Sequence, residues 1–132
     1  KNLESRIKNQ GLESYVRLVG EVPQRDMVPY FHAADVFLLP SEEEGFPHVL
    51  LEAMAAGVPY VASDVGGVRE ITPPELQRYV VSSGDIRQFS EKIASLLAMQ
   101  DYERERIKTI EQEWVRSYDI TSIVPQFAKL FE

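Results

Sequence analysis

Residues 36–57 read Val36-Phe37-Leu38-Leu39-Pro40-Ser41-Glu42-Glu43-Glu44-Gly45-Phe46-Pro47-His48-Val49-Leu50-Leu51-Glu52-Ala53-Met54-Ala55-Ala56-Gly57. Val36–Leu39 is a continuous apolar run stopped by Pro40, the pattern of a strand buried on both faces of a parallel sheet. An acidic loop follows. Pro47–Ala56 is then rich in Leu, Ala, Glu and Met and is closed by Gly57, as helices commonly are. Strand, loop and helix in immediate succession form the repeating unit of a parallel α/β sheet.

Working outward, the alternation continues. Upstream, Leu3, Ile7 and Gln10 predict a short helix ended by Gly11. Tyr15–Val19, β-branched and aromatic, predicts a strand closed by Gly20. Arg25–Ala34 predicts a helix with Pro29 in its first turn. Downstream, Tyr60–Ala62 predicts a strand, Val68–Ile71 a short helix and Tyr79–Val81 a third short strand. Asp85–Ala98 is the clearest helix: Ile86, Phe89, Ile93 and Leu97 recur at helical spacing, and Asp85 with Gln88 predicts a capping box. Ile107, Ile110 and Trp114 make a second stripe, with Trp114 expected as a core anchor. Ile120, Val124, Phe127 and Phe131 make a third, interrupted by Pro125. There is no internal repeat or linker, and Pro73-Pro74 marks a turn inside the domain.

Composition narrows the function. The 132 residues suffice for one domain with a real core, and 44% hydrophobic with 27% charged is ordinary for a globular protein. No apolar run approaches the roughly 20 residues of a membrane span. The net charge of −7 repels phosphate backbones and anionic membranes, so neither nucleic acid nor membrane is an expected partner of this segment. The chain has no cysteine, which excludes a disulfide framework and a thiolate metal site. His32 and His48 lie too far apart in sequence to suggest zinc, and no metal is expected. The opening Lys1-Asn2-Leu3-Glu4 has no apolar run of the signal-peptide kind. A cytoplasmic location is expected.

The chemistry is expected in Ser41–Glu52, because ligands of open parallel sheets bind where strands end and helices begin. A helix start offers unpaired N–H groups to phosphate or sugar oxygens. Gly45 permits close approach to the backbone, and Pro47 suits the first helical position. Glu44 falls in the loop. Glu52 falls about one and a half turns into a helix so apolar that it must be buried on most sides. A carboxylate there needs partners, and a vicinal diol can donate two hydrogen bonds to one carboxylate. Alternatives stay open at each position. Glu42, Glu43 and Glu44 also read as a solvated acidic loop. Glu52 also reads as a core carboxylate paired with arginine, and His48 as a solvated first-turn residue. Gly66-Gly67 reads as a helix-entry turn or as a contact at the cleft.

Residues Ser41 to Pro59, with Val61-Ala62-Ser63-Asp64-Val65-Gly66-Gly67-Val68-Arg69-Glu70, Gly20-Glu21-Val22-Pro23 and Ala33-Ala34-Asp35-Val36, resemble the signature of the family-four (group 1) glycosyltransferases. The resemblance implies a GT-B plan of two Rossmann-like domains. Residues 1–132 then form part of the C-terminal, nucleotide-sugar-binding domain, without its first two strands. It implies a retaining hexosyl transfer from a nucleotide-sugar, such as a UDP- or GDP-sugar, to a glycan, lipid or small-molecule acceptor, with no cofactor. It implies that Glu44 is the catalytic residue and meets hydroxyls of the donor sugar, while Glu52 meets the ribose. Backbone at Gly45, Phe46, Pro47, His48 and Val49 then lines the sugar or diphosphate, and Val22 and Met27 border the base. Many members carry glycine where Pro47 stands, which removes one N–H donor. The family's basic residues that hold the diphosphate precede Lys1, and nothing in residues 1–15 replaces them. The two absent strands normally lie between Tyr15–Val19 and Val36–Leu39. So either the chain is a segment of a longer protein, or Tyr15–Val19 pairs abnormally, with Val36–Leu39 or with another copy. A non-catalytic scaffold derived from the family is the alternative function. An epimerase on the same two-domain plan lacks its signatures here.

Overall fold

A computed structural model of the chain describes residues 2–118, 130 and 131. Three strands form one parallel sheet in the order β1-β2-β3. They are β1 (Phe37–Leu39), β2 (Tyr60–Ser63) and β3 (Val80–Val81). Phe37 pairs with Tyr60 and Leu39 with Ala62, while Ala62 pairs with Val80 on the other side. Every residue of β2 is buried. The helices are α1 (Asn2–Asn9), α2 (Val28–Ala33), α3 (His48–Ala56), α4 (Val68–Ile71), α5 (Ile86–Leu97) and α6 (Asp101–Val115). This is a Rossmann-like parallel sheet flanked by helices, as the alternation of strand and helix predicts.

The pleat of β2 splits the core in two. Tyr60 and Ala62 face one side, with Leu50, Leu51, Met54 and Ala55 of α3 and Val115 of α6. Val61 faces the other, with Leu76, Tyr79, Leu96 and Ile107. Burying a Leu or Met side chain contributes about 1.5–3 kcal/mol, so α3 is the heaviest single contributor. Gly57 ends α3 at φ +75°, with its N–H directed at the Ala53 and Met54 carbonyls. A Cβ there would also crowd Lys108, whose Cδ would lie at 2.8 Å.

Several boundaries differ from the sequence expectation. Tyr15–Val19 forms no strand and pairs with nothing; Tyr15, Val16, Leu18 and Val19 are exposed. A strand exists through its ladder, and none of the three described strands runs beside this segment; the Tyr15 and Val16 N–H groups instead close a turn on the Leu12 carbonyl, both at 2.9 Å. The expected helix Arg25–Ala34 splits into a 3₁₀ turn, Gln24–Asp26, and α2. Pro29 is the cause: it has no N–H to donate to the Arg25 carbonyl, so it can only sit in the first turn of a new helix. β1 is not buried on both faces; Leu38 is 42% exposed, because β1 is the edge strand of the described sheet. Pro47 caps α3 from outside, with non-helical ψ of 81°, instead of opening it. Tyr79 closes a 3₁₀ turn, Pro74–Tyr79, so β3 begins at Val80.

On α5, Asp85 caps as expected, its Oδ1 accepting from the Gln88 N–H at 3.0 Å. The reciprocal capping box forms at α6 instead, between Gln100 and Glu103. The inward stripe of α5 is Phe89 and Ile93, both half-buried, with the buried Leu96; Ile86 and Leu97 are 79% and 57% exposed. On α6 the inward positions are Ile107, Glu111 and Val115. Trp114 anchors as expected, its Nε1–H donating to the Ile71 carbonyl at 2.7 Å. The stripe at Ile120, Val124 and Phe127 lies outside the described residues. No helix among those described is long and apolar enough to cross a membrane.

Candidate functional site

Parallel pairing places the C-terminal ends of all three strands on one edge, and the loops that follow β1 and β2, residues 40–47 and 64–67, leave from it. The first carries the acidic run. Glu42 and Glu43 are exposed, in keeping with a solvated role. Glu44 is half-buried, and the Ser41 hydroxyl donates to its Oε2 at 2.8 Å, which fixes the carboxylate. Gly45 is exposed and faces open space, with no protein atom within 4 Å of where a Cβ would stand. Phe46 is exposed and packs edge-on against the His48 ring at 4.9 Å. Pro47 is buried, His48 exposed and Val49 half-buried. The α3 entrance is partly self-satisfied: the His48 N–H donates to the Phe46 carbonyl at 2.9 Å, and the Leu50 N–H to Pro47 at 3.0 Å.

Glu52 lies four residues into α3, about 6 Å along its axis from His48 at 1.5 Å per residue. It is 4% exposed, and among the described residues it forms no ion pair with arginine or lysine. The alternative of an arginine-paired core carboxylate is therefore not what the structure holds. Burial raises its pKa above the ordinary carboxylate value, and the nearby polar side chain of Gln24 offsets part of the rise. The Gln24 side chain, in the Gln24–Asp26 turn, therefore lies near the Glu52 carboxylate. Val22 and Met27, both half-buried, flank the turn. Gln24 and Glu52 are thus brought near each other, while Glu44 sits in the loop before α3.

The second loop closes on the first. The Gly67 N–H donates to the Gly45 carbonyl at 3.0 Å. Gly66 has φ +51°, and a Cβ on it would run into the Glu44 carbonyl oxygen and stand 2.6 Å from the carbonyl carbon. Gly66-Gly67 is thus both the entry to α4 and a direct neighbour of the acidic loop. Beside it, Arg69 donates to Asp64 Oδ2 and Gln77 Oε1, both at 2.8 Å.

Sequence reasoning missed Gln24, Ser41 and Glu111. Ser41 stands three residues before Glu44, a spacing typical of loop hydroxyl bonds, and was readable. Gln24 carries no local signal. Glu111 sits four residues from both Ile107 and Val115, so helical period alone places it inward.

A Rossmann-like domain with a carboxylate-bearing strand-to-helix loop at its sheet edge is a general class. The chain belongs to a narrower one, the glycosyl transferases group 1, whose family model matches residues 1–114. It is 33% identical over 132 residues to the phosphatidyl-myo-inositol mannosyltransferase of Mycobacterium leprae, covering 98% of this chain and 35% of that protein. It is 29% identical to the N-acetyl-alpha-D-glucosaminyl L-malate synthase of Bacillus anthracis, covering 95% and 32%. The solved sucrose-phosphate synthase from Thermosynechococcus elongatus superposes with a TM-score of 0.78 at 28% identity, over 98% of this chain and 33% of that one. The chain thus spans about a third of each.

Proposed function

We propose that residues 1–132 are part of the C-terminal, donor-binding domain of a retaining glycosyltransferase that takes a hexosyl group from a UDP- or GDP-sugar. Glu52 carries the reading: a carboxylate 4% exposed, without a cationic partner among the described residues, beside a loop that holds a second, oriented carboxylate. Such a group is matched by a ligand that donates hydrogen bonds, and a ribose diol does so twice. Glu44, held by Ser41, meets the donor-sugar hydroxyls as the catalytic residue. Gly45, Phe46, Pro47, His48 and Val49 line the sugar and diphosphate, and Val22 and Met27 border the base. The reaction uses no metal and no cofactor. The acceptor is a glycan, lipid or small molecule held largely by an N-terminal domain, and the setting is cytoplasmic. The presence of both Glu44 and Glu52 favours catalysis over a scaffold.

Calorimetric titration of the chain with UDP-glucose and with GDP-mannose tests this. Saturable binding of one of them, weakened in Glu52→Ala, is the expected result. Equal heats for the native chain and the variant overturn the assignment of Glu52.

A further inference from the structure

The Gly66-Gly67 turn has no exposed functional group of its own, yet it meets the acidic loop more tightly than any other described glycine meets neighbouring backbone. Two contacts define the fit. Gly66 offers no room for a Cβ against the Glu44 carbonyl, and Gly67 ties its N–H to Gly45. The turn is itself immobilised from behind. Arg69 reaches Asp64, Gln77 and the Val80 carbonyl, and Gln77 returns bonds to the Arg69 and Thr72 carbonyls. The Thr72 hydroxyl donates to the Val68 carbonyl at 2.7 Å and accepts from the Tyr60 hydroxyl at 2.7 Å, which fastens α4 to the central strand. Trp114 fastens the end of α4 to α6. The acidic loop has no comparable support of its own: its described side-chain bond is the one from Ser41 to Glu44.

We propose that Gly66 and Gly67 are positioning residues: they transmit the rigidity of α4 to Glu44 and Gly45 and so set the height of the acidic loop over the sheet edge. This role requires no contact between the turn and the donor. It decides where the Glu44 backbone lies, and a displacement of about 1 Å in a group that positions substrate is enough to cost activity heavily. The effect on donor binding rests on the function proposed above; the effect on the loop does not.

Three alanine variants separate this role from ordinary glycine strain. Gly84→Ala carries a positive φ, +81°, with no atom near its Cβ. Gly67→Ala has no positive φ, and its Cβ would stand 3.2 Å from the Gly45 carbonyl oxygen. Gly66→Ala has both the positive φ and the clash. The readouts are the NMR amide and Cα shifts of Glu44, Gly45 and Phe46, the Tm, and the Kd for UDP-glucose and GDP-mannose. Gly66→Ala is expected to move the Glu44–Phe46 shifts most, Gly67→Ala less and Gly84→Ala not at all. Donor Kd is expected to rise about tenfold or more in Gly66→Ala, the equivalent of one lost charge-assisted hydrogen bond, and to hold in Gly84→Ala. If Gly66→Ala does not fold, Gly67→Ala carries the same comparison. Loop shifts in Gly66→Ala and Gly67→Ala no larger than those in Gly84→Ala overturn the positioning role. A native chain that binds neither nucleotide-sugar overturns the function instead, and the loop shifts still decide the positioning.

Discussion

Two buried carboxylates govern the chemistry of single residues here, and they call for opposite treatments. Glu52 is buried but has Gln24 beside it and is read as a ligand group. In Glu52→Ala, donor Kd should rise about tenfold or more, since a hydrogen bond to a charged group is worth about 1.5–3 kcal/mol. The Tm of the unliganded chain should hold or rise; a variant that melts several degrees earlier and binds donor normally would make Glu52 structural. Glu111 is fully buried, and neither of its oxygens has a hydrogen-bond partner among the described residues. Burial pushes its pKa well above the ordinary carboxylate value, so the folded state holds a proton that the unfolded state releases. Its stability contribution is therefore complete below the unfolded carboxylate range and is lost as pH rises toward the folded pKa. Glu111→Met, close in volume and apolar, should stabilise the chain at neutral pH by about 1–3 kcal/mol. It should also flatten the fall in stability above the carboxylate range. Urea melts from pH 4 to 8 check it, and an unchanged pH slope would falsify the account. Glu52 could be singled out as a candidate in the sequence because a charge in an apolar helix is conspicuous, whereas Glu44, in an acidic run, could be singled out only through the family resemblance. Gln24 was not, because it and Glu52 stand 28 positions apart and only the fold brings them near each other.

At the scale of elements, what the sequence withheld was orientation and partnership more than identity. The spacing in α5 fits two overlapping stripes, Ile86-Phe89-Ile93-Leu97 and Phe89-Ile93-Leu96, which share two members. The sheet selects the second, since only Leu96 is packed under β2 and α6 while Leu97 points to solvent. Leu96→Ala should therefore cost about 2–5 kcal/mol and Leu97→Ala less than about 0.5 kcal/mol. Equilibrium urea unfolding of the two variants decides between the stripes, and comparable losses would restore the first. Tyr15–Val19 fails as a strand for a related reason. Its residues suit a pleated surface, but strand propensity describes fit to neighbours, and no described strand lies alongside. By contrast α3, α4 and β2 were readable to within a residue, because Gly57, Thr72 and the flanking turns punctuate them locally.

At the scale of the whole molecule, charge and extent point the same way. A nucleotide-sugar brings two phosphates to a chain of net charge −7. Two carboxylates stand in the proposed site, and the nearby Arg69 is already committed to Asp64, Gln77 and the Val80 carbonyl. At an effective dielectric near 20, each like-charge pair about 6 Å apart costs on the order of 2–3 kcal/mol, so the diphosphate needs basic side chains supplied from elsewhere. The family resemblance places such residues before Lys1, and places the acceptor site in another domain. The chain also spans only 35% of the mannosyltransferase and 33% of the synthase that it resembles. We therefore predict that the purified 132-residue chain binds a nucleotide-sugar weakly and does not turn it over, by transfer or by hydrolysis. Binding should strengthen as salt falls only if cationic groups dominate the contact; with the diphosphate unmatched, it should instead improve as salt rises and screens the acidic surface. Release of free sugar and of nucleoside diphosphate, followed by chromatography, gives the rate. Turnover of roughly 1 per second or faster, an ordinary enzymatic rate, would show that the site is complete within these residues and that neither further basic groups nor a second domain is required.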